Sequence, residues 1–127
     1  VPNLPAATRD LSRLTLVGST LFFIVDIGTA TAPQLQLWKS DGTTAALVKD
    51  INPGGNAAIA SLTNVNGTLF FTANDGITRI WSSDGTEAGT IPVSGAFTSP
   101  PTNLTAVGSK LFFAANNSAT GTELYTL

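Results

Sequence analysis

One ten-residue pattern occurs three times in this chain, and such repetition constrains the fold more than any local feature does. Each copy begins with Leu-Thr, has Val at its fourth position and ends with Leu-Phe-Phe. The copies are Leu14–Phe23, Leu62–Phe71 and Leu104–Phe113. Their starts lie 48 and 42 residues apart, close to the roughly 40 to 50 residues of a four-stranded propeller blade. The sequence therefore predicts three similar units in one domain, 1–127, with repeats at about 14–61, 62–103 and 104–127.

Each repeat is predicted to form strands, because its apolar stretches are short, are bounded by turn residues and lack helical periodicity. In the second repeat we predict strands at about 62–65, 68–73, 78–82 and 90–94, with tight turns at Asn66-Gly67 and Asp84-Gly85. Consecutive large apolar residues point to opposite faces of a strand, so both faces need cover. The predicted fold is all-β, with three four-stranded antiparallel propeller blades stacked face to face. The side chains expected in the core are Phe22, Phe23, Phe70, Phe71, Phe112, Phe113, Trp38 and Trp81.

The two ends of the chain do not match this pattern. The third repeat stops before a fourth strand, whereas Ala7–Leu11 resembles Leu47–Ile51, the fourth strand of the first repeat. We therefore predict a closing outer strand within 4–11 that completes the last blade, preferably the last blade of another chain. Against this assignment, two residues separate Leu11 from Leu14, whereas ten residues separate Ile51 from Leu62.

Three blades cannot close a ring, since propellers use about 4 to 8. We expect a homodimer with six blades, in which the N-terminal strand of each chain pairs beside the last strand of the other. The alternatives are an open filament and docking onto the blades of a larger protein complex. The residues assigned to these assembly strands are Ala7, Thr8, Arg9, Asp10 and Leu11, and Glu123, Leu124, Tyr125, Thr126 and Leu127.

Composition excludes many functions. The chain contains no His and no Cys, which excludes Ser-His-Asp and Cys-His catalysis, histidine or thiolate metal sites, and disulfides. Charged residues make up 11% and the net charge is -2, so we expect no cationic surface that could bind a nucleic acid. The longest apolar run, Leu21–Val25, is far below the roughly 20 residues of a membrane-spanning helix. We expect a non-enzymatic protein without a cofactor, a metal, a nucleic-acid partner or a membrane span.

A few residues could contact a ligand. Asp41 and Asp84, with Asp26 and Asp75, could bind calcium, but Asp before Gly usually forms the turn, and we favour that interpretation. Trp38 and Trp81 could stack on sugars, as in a lectin-like propeller with glycan ligands, although packing between blades is the favoured interpretation. The equivalent threonines of the three repeats could line a channel or satisfy local hydrogen bonds, and we favour the second. These threonines are Thr15, Thr63 and Thr105.

A second repeated block carries a family resemblance. It reads Leu-Trp-Lys-Ser-Asp-Gly-Thr at 37–43 and Ile-Trp-Ser-Ser-Asp-Gly-Thr at 80–86. Together with the first block, it resembles the bacterial ELWxxDGT repeat family. Gln36, Arg79 and Tyr125 depart from the family pattern, since the first two replace its Glu and the third its Trp. The resemblance implies a β-propeller and an extracellular, cell-surface or periplasmic location, and it implies no activity.

Overall fold

The computed structural model describes residues 3–127; the first two residues of the predicted domain, Val1 and Pro2, lie outside it. This part of the chain is all-β, as predicted, and contains eleven strands. The strands are β1 (Asp10–Val17), β2 (Thr20–Asp26), β3 (Leu35–Ser40), β4 (Ala45–Lys49), β5 (Ala60–Val65), β6 (Thr68–Asn74), β7 (Thr78–Ser83), β8 (Ile91–Pro92), β9 (Thr102–Val107), β10 (Lys110–Asn117) and β11 (Gly121–Thr126).

The strands form three antiparallel sheets, one for each repeat. Sheet I has the order β1-β2-β3-β4, sheet II the order β5-β6-β7-β8, and sheet III the order β9-β10-β11. Within each sheet, strands that are consecutive in sequence pair with each other. The four strands predicted for the second repeat are confirmed, although the last is only two residues long. Within residues 3–127, sheet III has no fourth strand.

A tight turn joins the first two strands of each sheet. In sheet II this turn is Asn66-Gly67, where φ is 49° and 90°. Both residues thus adopt the left-handed conformation of a type I′ hairpin turn, which Asn and Gly tolerate best. The predicted turn is confirmed.

The first strand of every sheet carries the same bulge. Its central residue has a positive φ of 61°, 61° or 57°, at Arg13, Ser61 and Asn103. Two residues later, a threonine hydroxyl donates a hydrogen bond to the carbonyl oxygen of that residue, over 3.2 Å in sheet I and 2.8 Å in sheets II and III. These donors are Thr15, Thr63 and Thr105, so the expectation that the threonines satisfy local hydrogen bonds is confirmed.

The sheets stack so that each has two distinct faces. The tryptophan face of a sheet carries Trp38 in sheet I, Trp81 in sheet II and Tyr125 in sheet III. The valine face carries Val17, Val65 and Val107. One apolar cluster joins the valine face of sheet I to the tryptophan face of sheet II, and a second joins the valine face of sheet II to the tryptophan face of sheet III. The first strands also lie side by side, β1 next to β5 and β5 next to β9.

The core prediction holds for six of the eight side chains. Phe22, Phe23, Phe71, Phe113, Trp38 and Trp81 are buried. Phe70 and Phe112 are only half-buried, so these two side chains are less buried than predicted. Phe112 lies on the valine face of sheet III, where the described residues provide no further sheet.

The predicted closing strand within 4–11 is wrong in this chain. Ala7 lies in a turn, and Thr8 and Arg9 are outside any strand. Asp10 and Leu11 are instead the first residues of β1 and pair with Asp26 and Val25 of the same sheet. The physical reason is backbone pairing: β1 pairs with β2 on both sides of the bulge at Arg13, from Asp10–Asp26 to Val17–Thr20, so Asp10 and Leu11 are already used within sheet I. Residues 4–9 therefore precede sheet I in the way that the linker 52–57 precedes sheet II.

Candidate functional site

The strongest candidate site is the pair of faces at the two ends of the stack. Positions that are equivalent in the three repeats differ in burial according to whether another sheet follows. Val17 and Val65 are buried, whereas Val107 is 58% exposed. Among the third strands, Leu37 and Ile80 are fully buried, whereas Leu124 is 73% exposed. The sequence places the same kind of apolar residue in all three repeats, but the third is uncovered.

The free valine face of sheet III forms a shallow apolar groove of about 480 Å³. Val107, Phe112, Ala114 and Leu124 line it, together with two polar residues of β9. In sheets I and II, the equivalent surface is the one that the next sheet covers. The groove is therefore the uncovered equivalent of the faces that are buried in sheets I and II.

The free tryptophan face of sheet I forms a larger cleft of about 520 Å³. Leu11, Leu14, Leu16, Leu21 and Phe23 are among its lining residues. Leu14 is 60% exposed, whereas its equivalents Leu62 and Leu104 pack against the preceding sheet.

The N-terminal segment covers part of this second face. Leu4 packs against the cluster of Phe23, Val25, Trp38 and Ala45. This contact buries the part of the face that carries Trp38 and leaves the leucines of β1 exposed.

The two covered interfaces show how such faces pack. At the interface between sheets I and II, Phe71 and Trp81 are neighbours on adjacent strands of sheet II and stack their rings 6.5 Å apart. Lys49 Nζ of sheet I lies 5.8 Å from the centre of the Trp81 ring. Lys39 Nζ donates a hydrogen bond over 2.6 Å to the carbonyl oxygen of Gly85 in the turn of sheet II. Between sheets II and III, Phe97 packs edge-on against Phe113. Apolar contact dominates both interfaces, with cations of sheet I reaching sheet II.

The two tryptophans singled out as ligand contacts are buried core residues. The indole Nε1 of Trp38 donates to Gln36 Oε1 over 3.0 Å. Trp81 Nε1 has no hydrogen-bond partner among the described residues, because the equivalent of Gln36 is Arg79, whose side chain has no acceptor. Sheet I covers Trp81, and the N-terminal segment around Leu4 covers Trp38 on the end face of sheet I, so this geometry gives no support to sugar stacking on either ring.

Asp41 and Asp84 lie in the turns that follow the third strands. The backbone N–H groups of Thr44 and Thr43 donate to Asp41 Oδ1 and lower the pKa of Asp41. The hydroxyl and the backbone N–H of Thr86 donate to Asp84 Oδ1 and lower the pKa of Asp84. Both carboxylates therefore act as turn formers. Across residues 3–127, no three Asp or Glu side chains gather as metal ligands would.

Asp26 is a buried carboxylate that the sequence analysis did not single out as a structural anchor. Its Oδ1 accepts the backbone N–H groups of Gly28 at 2.8 Å and Gln34 at 3.0 Å, and Oδ2 pairs with the Arg9 guanidinium. Burial alone would raise its pKa, but these hydrogen bonds and the Arg9 charge outweigh burial, so the pKa of Asp26 is lowered. Asn74 occupies the equivalent position in sheet II and accepts the Gly76 N–H in the same loop. The recurrence of Asp or Asn at this position was the sign in the sequence that Asp26 anchors a loop.

Four of the five residues predicted for the C-terminal assembly strand lie in β11: Glu123, Leu124, Tyr125 and Thr126. Their pairing with another chain stays a prediction. The backbone N–H of Leu127 donates to the Leu111 carbonyl oxygen over 2.9 Å. In the part of the chain that the structure describes, the outer edge of β11 has no strand beside it.

Comparison of the chain with protein families, curated proteins and solved structures found no match. In the described residues, no helix has the length and apolar character needed to cross a membrane.

Proposed function

We propose that this chain is a non-enzymatic, extracellular structural module: a half-propeller whose two free faces are covered by further blades, so that a closed propeller forms. The observation that carries the proposal is the contrast between Val107 and its buried equivalents Val17 and Val65. Apolar side chains at positions that are buried elsewhere in the same chain favour association with another surface.

The arrangement of the sheets supports a propeller. Four-stranded antiparallel sheets that stack face to face, with their first strands adjacent, match the way blades surround a central channel. The resemblance of the repeats to ELWxxDGT proteins supports both this fold and an extracellular location. The absence of His and Cys from the sequence supports a role in assembly and binding over catalysis. The covering blades come from a second copy or from a larger complex.

A charge on the free valine face tests this proposal. Val107→Asp should abolish association, because a carboxylate in an apolar interface loses its hydration without gaining a partner. Ser118→Asp is the matched control, since Ser118 is exposed in the turn between β10 and β11. Sedimentation velocity measures association, and circular dichroism checks that both variants keep their strands. The same association in Val107→Asp as in the unmodified chain would contradict the proposal.

A further inference from the structure

We infer that the partner of each free face is the opposite free face of a second copy of this chain, packed head to tail. This inference rests on the proposed function and specifies its partner. The valine face of sheet III in one copy covers the tryptophan face of sheet I in the other, and the same contact forms a second time to close the ring.

The direction of stacking within the chain supports this choice of partner. At both covered interfaces, the valine face of one sheet meets the tryptophan face of the next. The two faces left free are one of each kind, a valine face on sheet III and a tryptophan face on sheet I. A second copy therefore provides the missing member for both, and the new interfaces continue the packing that the chain already uses twice.

The covered interfaces also indicate which residues meet in the new interface. Val17 and Leu62 belong to one apolar cluster, and Val65 and Leu104 belong to the next. Continuing this series places Val107 of one copy and Leu14 of the second copy in the same new apolar cluster. Both side chains are exposed in the single chain, 58% and 60% respectively, so the contact buries two large apolar groups that have no cover at present.

Charge supports the same pairing. Between sheets I and II, Lys39 on a valine face approaches the Asp84-Gly85 turn of the next sheet. On the free valine face, the equivalent of Lys39 is Thr126, which pairs with Phe112. Lys110, two residues before Phe112, is exposed at the same end of that face. Asp41 lies at the rim of the cleft on sheet I, so the two faces present opposite charges to each other.

Symmetry limits the assembly to a defined size. A dimer with a two-fold axis contains this contact twice and leaves neither kind of face free. It contains the sheets of two chains, six in all, which lies within the range of about 4 to 8 blades found in closed propellers.

Cross-linking of single-cysteine variants tests which faces meet. The natural chain contains no Cys, so each introduced thiol is unique. Val107→Cys and Leu14→Cys chains are co-expressed and treated with a short bis-maleimide, and the products are separated on a denaturing gel. The expected result is a covalent dimer in this mixture but not with either variant alone. Replacing Leu14→Cys by Ser118→Cys is the control, and that mixture should give no dimer.

Other outcomes would overturn the inference in distinguishable ways. A dimer from Val107→Cys alone would show that two valine faces meet, so the head-to-tail arrangement would fall while the proposed function would stand. Association in sedimentation without the Val107–Leu14 cross-link would also overturn the inferred contact and leave the proposed function standing, and it would favour another register. If the chains did not associate at all, both the head-to-tail arrangement and the proposed function would be wrong. A ladder of products from the Val107→Cys/Leu14→Cys double variant would indicate an open filament and overturn the closed ring.

Discussion

Replacing an equivalent leucine by alanine in two repeats distinguishes a covered face from an uncovered one. Leu37 and Leu124 occupy equivalent places on the third strands of sheets I and III, and Leu37 is fully buried among Phe22, Ile24 and Val48. Leu37→Ala should lower the free energy of unfolding by about 2–5 kcal/mol, because it removes buried methyl groups and leaves a cavity. Leu124 keeps only about a quarter of its surface covered, so Leu124→Ala should cost the single chain at most about 0.5 kcal/mol.

Urea unfolding at low protein concentration measures both values, with the slope against urea checked for constancy. At protein concentrations where chains associate, the two substitutions should have different effects on dimer formation. Leu124→Ala should then weaken the dimer by at least about tenfold, because each dimer contains the truncated contact twice. The effect of Leu37→Ala on unfolding of the single chain should not depend on concentration.

Two results would refute this reasoning. A loss for Leu124→Ala in the dilute chain as large as that for Leu37→Ala would show that the valine face of sheet III is already covered. A loss below about 0.5 kcal/mol for Leu37→Ala would show that the interface between sheets I and II is not a packed core.

Three further substitutions test local features. The lowered pKa of Asp26 means that its carboxylate stabilises the fold above its unfolded pKa of about 3.8 and that this stabilisation is lost as the pH falls below that value. Asp26→Asn should therefore be less stable than the natural chain at neutral pH, and its free energy of unfolding should fall less steeply in acid. Urea unfolding across that pH range measures both effects. Arg79→Gln gives Trp81 Nε1 an acceptor but removes the ion pair of Arg79 with Asp75; in an Asp75→Asn background, which already lacks that pair, Arg79→Gln should stabilise the chain by about 0.5–1.5 kcal/mol, and unchanged or lower thermal stability there would count against this. Gly28→Ala should destabilise the chain, because its Cβ would lie 2.2 Å from a backbone carbonyl oxygen, whereas Gly95→Ala, with nothing within 4 Å, should be close to neutral in the same thermal measurement.

Much of the fold follows from the sequence because local physics determines it. The Asn66-Gly67 turn and the run Leu69-Phe70-Phe71, whose side chains point alternately to the two faces of the strand, determine the first hairpin of sheet II. No other part of the chain is needed for this prediction. The exposure of Val107 could not be read in this way, because Val17 and Val65 have the same local sequence pattern. Burial at this position depends on whether another sheet follows, which is a property of the stack.

The error at the N-terminus has a physical explanation. Ala7–Leu11 resembles Leu47–Ile51, a segment that overlaps the end of β4, in its residue types. The two segments lie at different distances from the bulge that begins each repeat. Arg9 donates its backbone N–H to the Asp26 carbonyl, and Ala57 accepts the Asn74 N–H at the matching place in sheet II. Position relative to the bulge, and not similarity of side chains, therefore decides which segment is equivalent. The two-residue gap between Leu11 and Leu14 was the sign of this in the sequence.

Native mass spectrometry of the unmodified chain tests most directly whether half-propellers complete one another. We expect one dominant species at twice 13.0 kDa, which persists on modest dilution and disappears with Val107→Asp. A folded monomer at 13.0 kDa at every concentration, with its strands intact by circular dichroism, would contradict the account, because both apolar end faces would then remain in water without a partner.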